Sequence, residues 1–200
     1  MAVRDLDASA ARLEERAGLV ALPGGTHPAW GTGNRIASLG HRQYVELLAS
    51  VDPAVAATTD LGRAITSRSA GADAWFAVCL ADDALDETAT RLDLPVRSGS
   101  RTLPDGRVVA WRSAGIDDPR RGSDLPFFIA WEGPDNLHPG ATAAEHPSGA
   151  NAIAWVEVAE DPERFAAWTD GAALPIRFVD GDRGIRAVGL ATPNGEVVVR

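Results

Sequence analysis

The same run of elements can be read three times along this chain, and that repetition constrains the fold more than any single motif does. In the first pass Leu6, Ala10, Leu13 and Ala17 recur on one helical face, Asp5 or Asp7 can cap the start, and Gly18 supplies the left-handed residue that commonly ends a helix. Extended candidates follow at 19–22, 34–39 and 43–49, with a Gly-rich loop between the first two. The second pass begins with the apolar run AWFAVCLA. Asp82 and Asp83 then open a helix with Leu85, Ala89 and Leu92 on one face, and Pro95 ends it. Strands VRSGSRTL and RVVAWRSA are joined at Pro104-Asp105-Gly106, and LPFFIAW follows an Arg-rich loop. The third pass runs from AIAWVEVA through a helix opened by Asp161-Pro162-Glu163, with Phe165, Trp168 and Ala172 inward. It ends in IRFV, IRAVGLA and EVVVR, the last two joined at Pro193-Asn194-Gly195.

Units recurring every 75 to 80 residues or about that predict repeated βαβββ modules. Hairpins dominate the connections, so the expected class is α+β: a curved, mostly antiparallel sheet forming a bowl, with helices on the outer face and the concave face free for a ligand. Modules are expected at 1–50 and 74–133, paired across a connector at 51–73. A connector loop at 134–150 leads to a third βαβββ-like module at 151–200, packed on or completing the same domain.

Charge and composition exclude several functions. The formal net charge is -9, so the phosphate attraction behind most nucleic-acid affinity has no source. The chain contains no Lys, which removes Schiff-base chemistry and the P-loop. No run of about 18 apolar residues suggests a membrane span. The single Cys79 sits in an apolar run and reads as a small buried hydrophobe, consistent with a cytoplasmic protein. Gly31-Thr32-Gly33 lacks the third small residue and the following helix of a dinucleotide fingerprint, and no G-x-S-x-G elbow occurs.

The stretch PGGTHPAWGTGNRIASLGHRQYVELLAS (23–50), with LPFFIAW (125–131) and EHPSGANAIAWVEV (145–158), resembles the glyoxalase-like domain family of the vicinal oxygen chelate superfamily. That superfamily pairs βαβββ modules into a bowl and hosts lyases, isomerases, ring-cleaving dioxygenases and metal-free binding proteins of the bleomycin-resistance type. Relatives begin with a fuller first strand whose His is the usual first metal ligand. Here MAVR reads as the tail of such a strand, either because the start falls a few codons late or because the strand is short.

Strand alternation puts Tyr44, Glu46 and Leu48 on one face and Val45, Leu47 and Ala49 on the other. A buried Glu46 needs a cation, a metal or a donor, and the resemblance implies that it occupies a metal-carboxylate position. It is therefore the candidate catalytic residue and ligand of one divalent metal ion, with a solvated face or an Arg partner as the alternative. The second module supplies no His or carboxylate at the corresponding places. His27 and His146, each followed by Pro, are candidates at the mouth of the bowl, with loop packing as the alternative. His41 reads as a solvated turn residue, and His138 lies in the Pro/Gly-rich connector. Thr32 and Asn34 either complete a turn or face a ligand. Six Trp stand against one Tyr, and of these Trp30 lies in a loop while Trp131 ends a strand expected to line the second half-bowl, where an indole can stack on an apolar ligand. Arg112 is a candidate to neutralise an acidic ligand, with a salt bridge to one of the chain's 28 acids as the alternative. Three readings follow: a metal-dependent lyase, isomerase or dioxygenase; a metal-free bowl that binds or sequesters a small organic molecule; and a third module that covers the bowl or mediates a homodimer.

Overall fold

In the computed structural model, which describes residues 1–200, helix α1 (Leu6–Ala17) begins at Asp5, whose carboxylate accepts from the Ala8 N–H at 2.8 Å. Its end is Gly18, at φ 59°, whose N–H donates to the Glu14 carbonyl. Three antiparallel strands follow: β1 (Leu22–His27), β2 (Thr32–Gly40) and β3 (Gln43–Ser50). The strand expected at 19–22 is displaced. Leu19 and Ala21 are buried but unpaired, and pairing instead runs through the Pro-Gly-Gly stretch that reads as a loop. Pro23 is tolerated because β1 meets its neighbour on the other side only at Thr26–Thr102, where no donor from Pro23 is needed. Residues 1–3 lie beside β3 through an isolated bridge. Ala2 bridges Leu48 in parallel, Val3 donates to Leu48 and Leu48 to Met1.

The connector is itself structured. Helices α2 (Pro53–Ala56) and α3 (Asp60–Arg68) are capped by Asp52 and Thr59, and Leu61 and Ile65 of α3 pack with Ala2 against Trp30, Leu48 and Phe76. Because Leu48 belongs to the concave face, α3 closes that side rather than lying outside.

The second half comprises β4 (Cys79–Ala81), α4 (Leu85–Leu92), β5 (Val96–Thr102), β6 (Val108–Ala114) and β7 (Phe127–Glu132). The last three residues of AWFAVCLA pair in parallel with β7, and its first, Ala74, bridges Ala2 antiparallel. The sheet runs β3-β2-β1-β5-β6-β7-β4, so the two halves meet at β1 and β5. Gly25 permits that approach: at φ 145°, a Cβ there would sit 2.2 Å from the Thr102 carbonyl oxygen. Helix α4 lies on the outer face, where Leu85 and Ala89 pack on Ala114 and Phe128.

The third unit repeats the order of elements but not their pairing. Strands β8 (Ala152–Ala159), β9 (Ile176–Phe178), β10 (Gly184–Thr192) and β11 (Gly195–Val199), with α5 (Pro162–Trp168) between the first two, form a separate sheet ordered β11-β10-β8-β9. In the first two units the strand before the helix pairs with the last strand; here β8 pairs in parallel with β9 and antiparallel with β10. One face of this sheet shares a core with the first half, where Val158, Ile185 and Leu190 join Leu13, Val45 and Leu47. No helix is long and apolar enough to cross a membrane.

Candidate functional site

The alternation of β3 divides its side chains as the sequence requires. Val45, Leu47 and Ala49 enter the core shared with the third unit, while Tyr44, Glu46 and Leu48 line the concave side. Facing them, β5 to β7 present Arg101, Trp111, Ile129 and Trp131, and α3 contributes Leu61. Two adjoining hollows result, of about 180 and 50 Å³, with Tyr44, Glu46, Leu48, Ile129 and Trp131 in the wall of both. The larger is bounded on its other side by Ile153, Val156, Ile185 and Val188 of the third unit. An apolar space of about 150 Å³ accommodates a benzene ring, so the hollow has room for a one-ring ligand.

Its wall is a chain of rings. Trp30 lies 5.9 Å from Trp111, Trp111 lies 5.2 Å from Trp131, and Trp131 lies 5.1 Å from His138, with His27 tilted against Trp30 at 5.6 Å. Trp111 can lie flat because it stands opposite Gly99, where a Cβ would come within 2.6 Å of the indole.

The polar groups are few and largely buried. Asn34 Nδ2 donates to Glu46 Oε1 at 2.5 Å, and Asn34 Oδ1 has no partner. His27 Nδ1 lies 3.0 Å from the Thr32 hydroxyl. Burial lowers the His27 pKa, Arg101 lowers it further and Glu46 opposes, so the ring favours its neutral form. Burial, followed by Arg42 and Arg101, brings His138 down to about 4; its Nδ1 accepts from the Gly140 N–H at 2.9 Å, which leaves the proton on Nε2. Burial, with Cys79 and Glu46, holds the Tyr44 phenol well above its usual value, and burial does the same to the Cys79 thiol, which is therefore no thiolate nucleophile.

Of the residues singled out from sequence, His27, Trp30, Asn34, Glu46 and Trp131 line this space. Three do not. Thr32 is fully buried behind His27 and orients its ring. Arg112 sits on the opposite face of β6, bonded to Asp86 of α4 at 2.7 Å; its cross-strand partner is Ala130, while Trp111 is the residue facing Trp131. His146 is a clamp outside the hollow, accepting from the Val20 N–H at 3.1 Å and lying 3.0 Å from the Ser38 carbonyl. Exposed His41 occupies the β2–β3 turn at φ 52°. Sequence reasoning missed Arg101 and the role of His138. Arg101 had a signal, since it shares a strand face with Gly99.

The donor set does not fit a resident divalent ion. A catalytic site needs about three protein ligands with an open position, and no group of three or more His, Cys, Asp or Glu side chains is arranged to hold a metal. Glu46 instead takes a hydrogen bond from the Asn34 amide.

Two paired βαβββ halves around a concave hollow define a vicinal oxygen chelate fold. Residues 1–173 match the family model of the glyoxalase-like domain, and the chain belongs to that family. Its fold is similar to that in a crystal structure of a hypothetical protein from Staphylococcus aureus, with a TM-score of 0.59 at 18% identity, covering 90% of this chain and 75% of that one. No curated protein sequence matches.

Proposed function

We propose that this chain binds a small aromatic molecule on its concave face without a metal ion. The observation that carries the reading is the lining itself: Trp131 and Glu46 stand in the walls of both the hollow of one-ring size and the narrower one adjoining it, Trp30 and Trp111 extend the indole wall into the narrower one, and Glu46, the single carboxylate, is engaged by an amide. Indole faces supply large, rigid contact area at low entropic cost, and a few fixed polar groups set orientation. Neutral His27 and His138 add hydrogen-bonding capacity without charge. The reading accords with the metal-free binding proteins that the fold also hosts.

The test is titration of chelator-treated protein with 4-hydroxybenzamide, followed by tryptophan fluorescence. The expected result is saturable quenching with one site per chain, abolished in an Ile116→Trp variant that fills the hollow while leaving its buried lining intact. Unsaturable quenching, or equal quenching of the variant, would contradict the reading.

A further inference from the structure

We propose that the two adjoining hollows together select an aromatic carboxylate, its ring in the larger one against Trp131 and its carboxylate reaching the Arg101 guanidinium in the narrower one. This rests on the binding reading above and names the class of ligand. Arg101 lies two residues from Gly99 on β5, so strand alternation carries it to the side on which Trp111 packs. The residue is 4% exposed and lines the narrower hollow. Its Nε is buried with no hydrogen-bond partner, and the carboxylate that influences it, Glu46, is not within ion-pair distance and is bonded to Asn34.

The contrast with Arg121 sharpens the point. That side chain is as deeply buried, at 3% exposed, but its Nη1 donates to the Leu125 carbonyl at 3.2 Å and its guanidinium lies over Phe76 at 5.3 Å. Arg121 Nε is unpartnered as well, but its two Nη groups donate to backbone carbonyls and Asp124 and Asp118 lie near enough to favour its charge; Arg101 makes no hydrogen bond or ion pair through any of its nitrogens. A desolvated cation without a counter-charge is unfavourable in the folded protein unless something anionic completes it, and the planar guanidinium fork matches a carboxylate in two parallel hydrogen bonds. The chain as a whole carries -9, so its overall field disfavours anions and the selection has to be local.

The experiment compares 4-hydroxybenzoate with its neutral isostere 4-hydroxybenzamide on the wild-type chain, on Arg101→Gln and on Arg101→Lys. A charge-assisted pair predicts that the acid binds about ten- to a hundredfold more tightly than the amide. Arg101→Gln should abolish the preference of acid over amide, and Arg101→Lys should retain part of it. Equal affinities on the wild-type chain would overturn this proposal and leave the binding reading standing. A preference that survives in Arg101→Gln would place the anion contact elsewhere and overturn it too. Absence of binding by either probe would overturn both. The wild-type comparison is decisive even where a variant fails to fold.

Discussion

Gly99 and Gly189 give up a side chain so that a tryptophan can lie across the strand. Each stands opposite a Trp in the register, Gly99 facing Trp111 and Gly189 facing Trp155, and a Cβ would come within 2.6 and 2.2 Å of the respective rings. In the second case the indole N–H donates to Glu196 at 2.6 Å and Arg177 stacks over the ring at 4.1 Å, which makes Trp155 a structural residue. In the first the ring faces the hollow. Gly99→Ala should therefore cost about 1–3 kcal/mol through overpacking and also weaken aromatic binding, while Gly189→Ala should cost stability alone; denaturant midpoints and probe titrations on both variants check this. The residue scale is also where sequence reading divides most sharply. The face shared by Tyr44, Glu46 and Leu48 follows from alternation alone, whereas the Asn34–Glu46 bond joins two strands and needs the β2–β3 register. For Arg112, which takes the salt-bridge alternative with Asp86, the choice also depends on register. Once Trp111 is paired with Trp131, the next residue must point to the helix side.

At the scale of elements, the connector at 134–150 has little regular structure and is held by long-range side-chain contacts. His146 joins it to Val20 and Ser38, 126 and 108 residues away in sequence, and Ser148 adds a bond to the Gly18 carbonyl at 2.9 Å. His146→Ala leaves a backbone donor and a carbonyl without their partner and should cost about 2–3 kcal/mol, read as a lower denaturant midpoint, with binding of 4-hydroxybenzamide retained. That combination separates a clamp from a ligand residue. Helices with clear caps, such as α1 and α5, are legible from sequence because their signals are local: Asp161 accepts from the N–H groups of Glu163 and Arg164, with Pro162 next in line. The β1 strand is hidden because Pro and Gly ordinarily signal loops, and here the Pro falls where no donor is required while Gly25 lets two half-sheets meet. Helices α2 and α3 are missed as elements for a related reason, since short helices with Gly and Thr carry weak periodicity.

For the whole molecule, the repeat makes the paired halves legible, yet the element order does not fix which strands pair, and the third unit uses the same order to build a separate sheet. That sheet both completes the core and bounds the hollow, so folding stability and the binding space are linked. His138 provides a way to see this in solution. Its pKa is about 4 in the folded chain, below the ordinary histidine value, so as pH falls from about 6.5 the unfolded chain takes up a proton that the folded chain refuses. The stability contributed by neutral His138 is thus full above that range and declines toward pH 4, and the imidazole resonances of His138 should titrate with a midpoint near 4 by NMR. A midpoint near 6.5 would mean that the ring is not packed against Trp131. The measurement that bears most directly on the metal-free binding reading is calorimetric titration of 4-hydroxybenzamide into chelator-treated protein, repeated after one equivalent of Zn²⁺ or Mn²⁺ is added. The account predicts the same affinity and stoichiometry in both samples. Binding that appears only with the added ion, and is lost in Glu46→Gln, would contradict it.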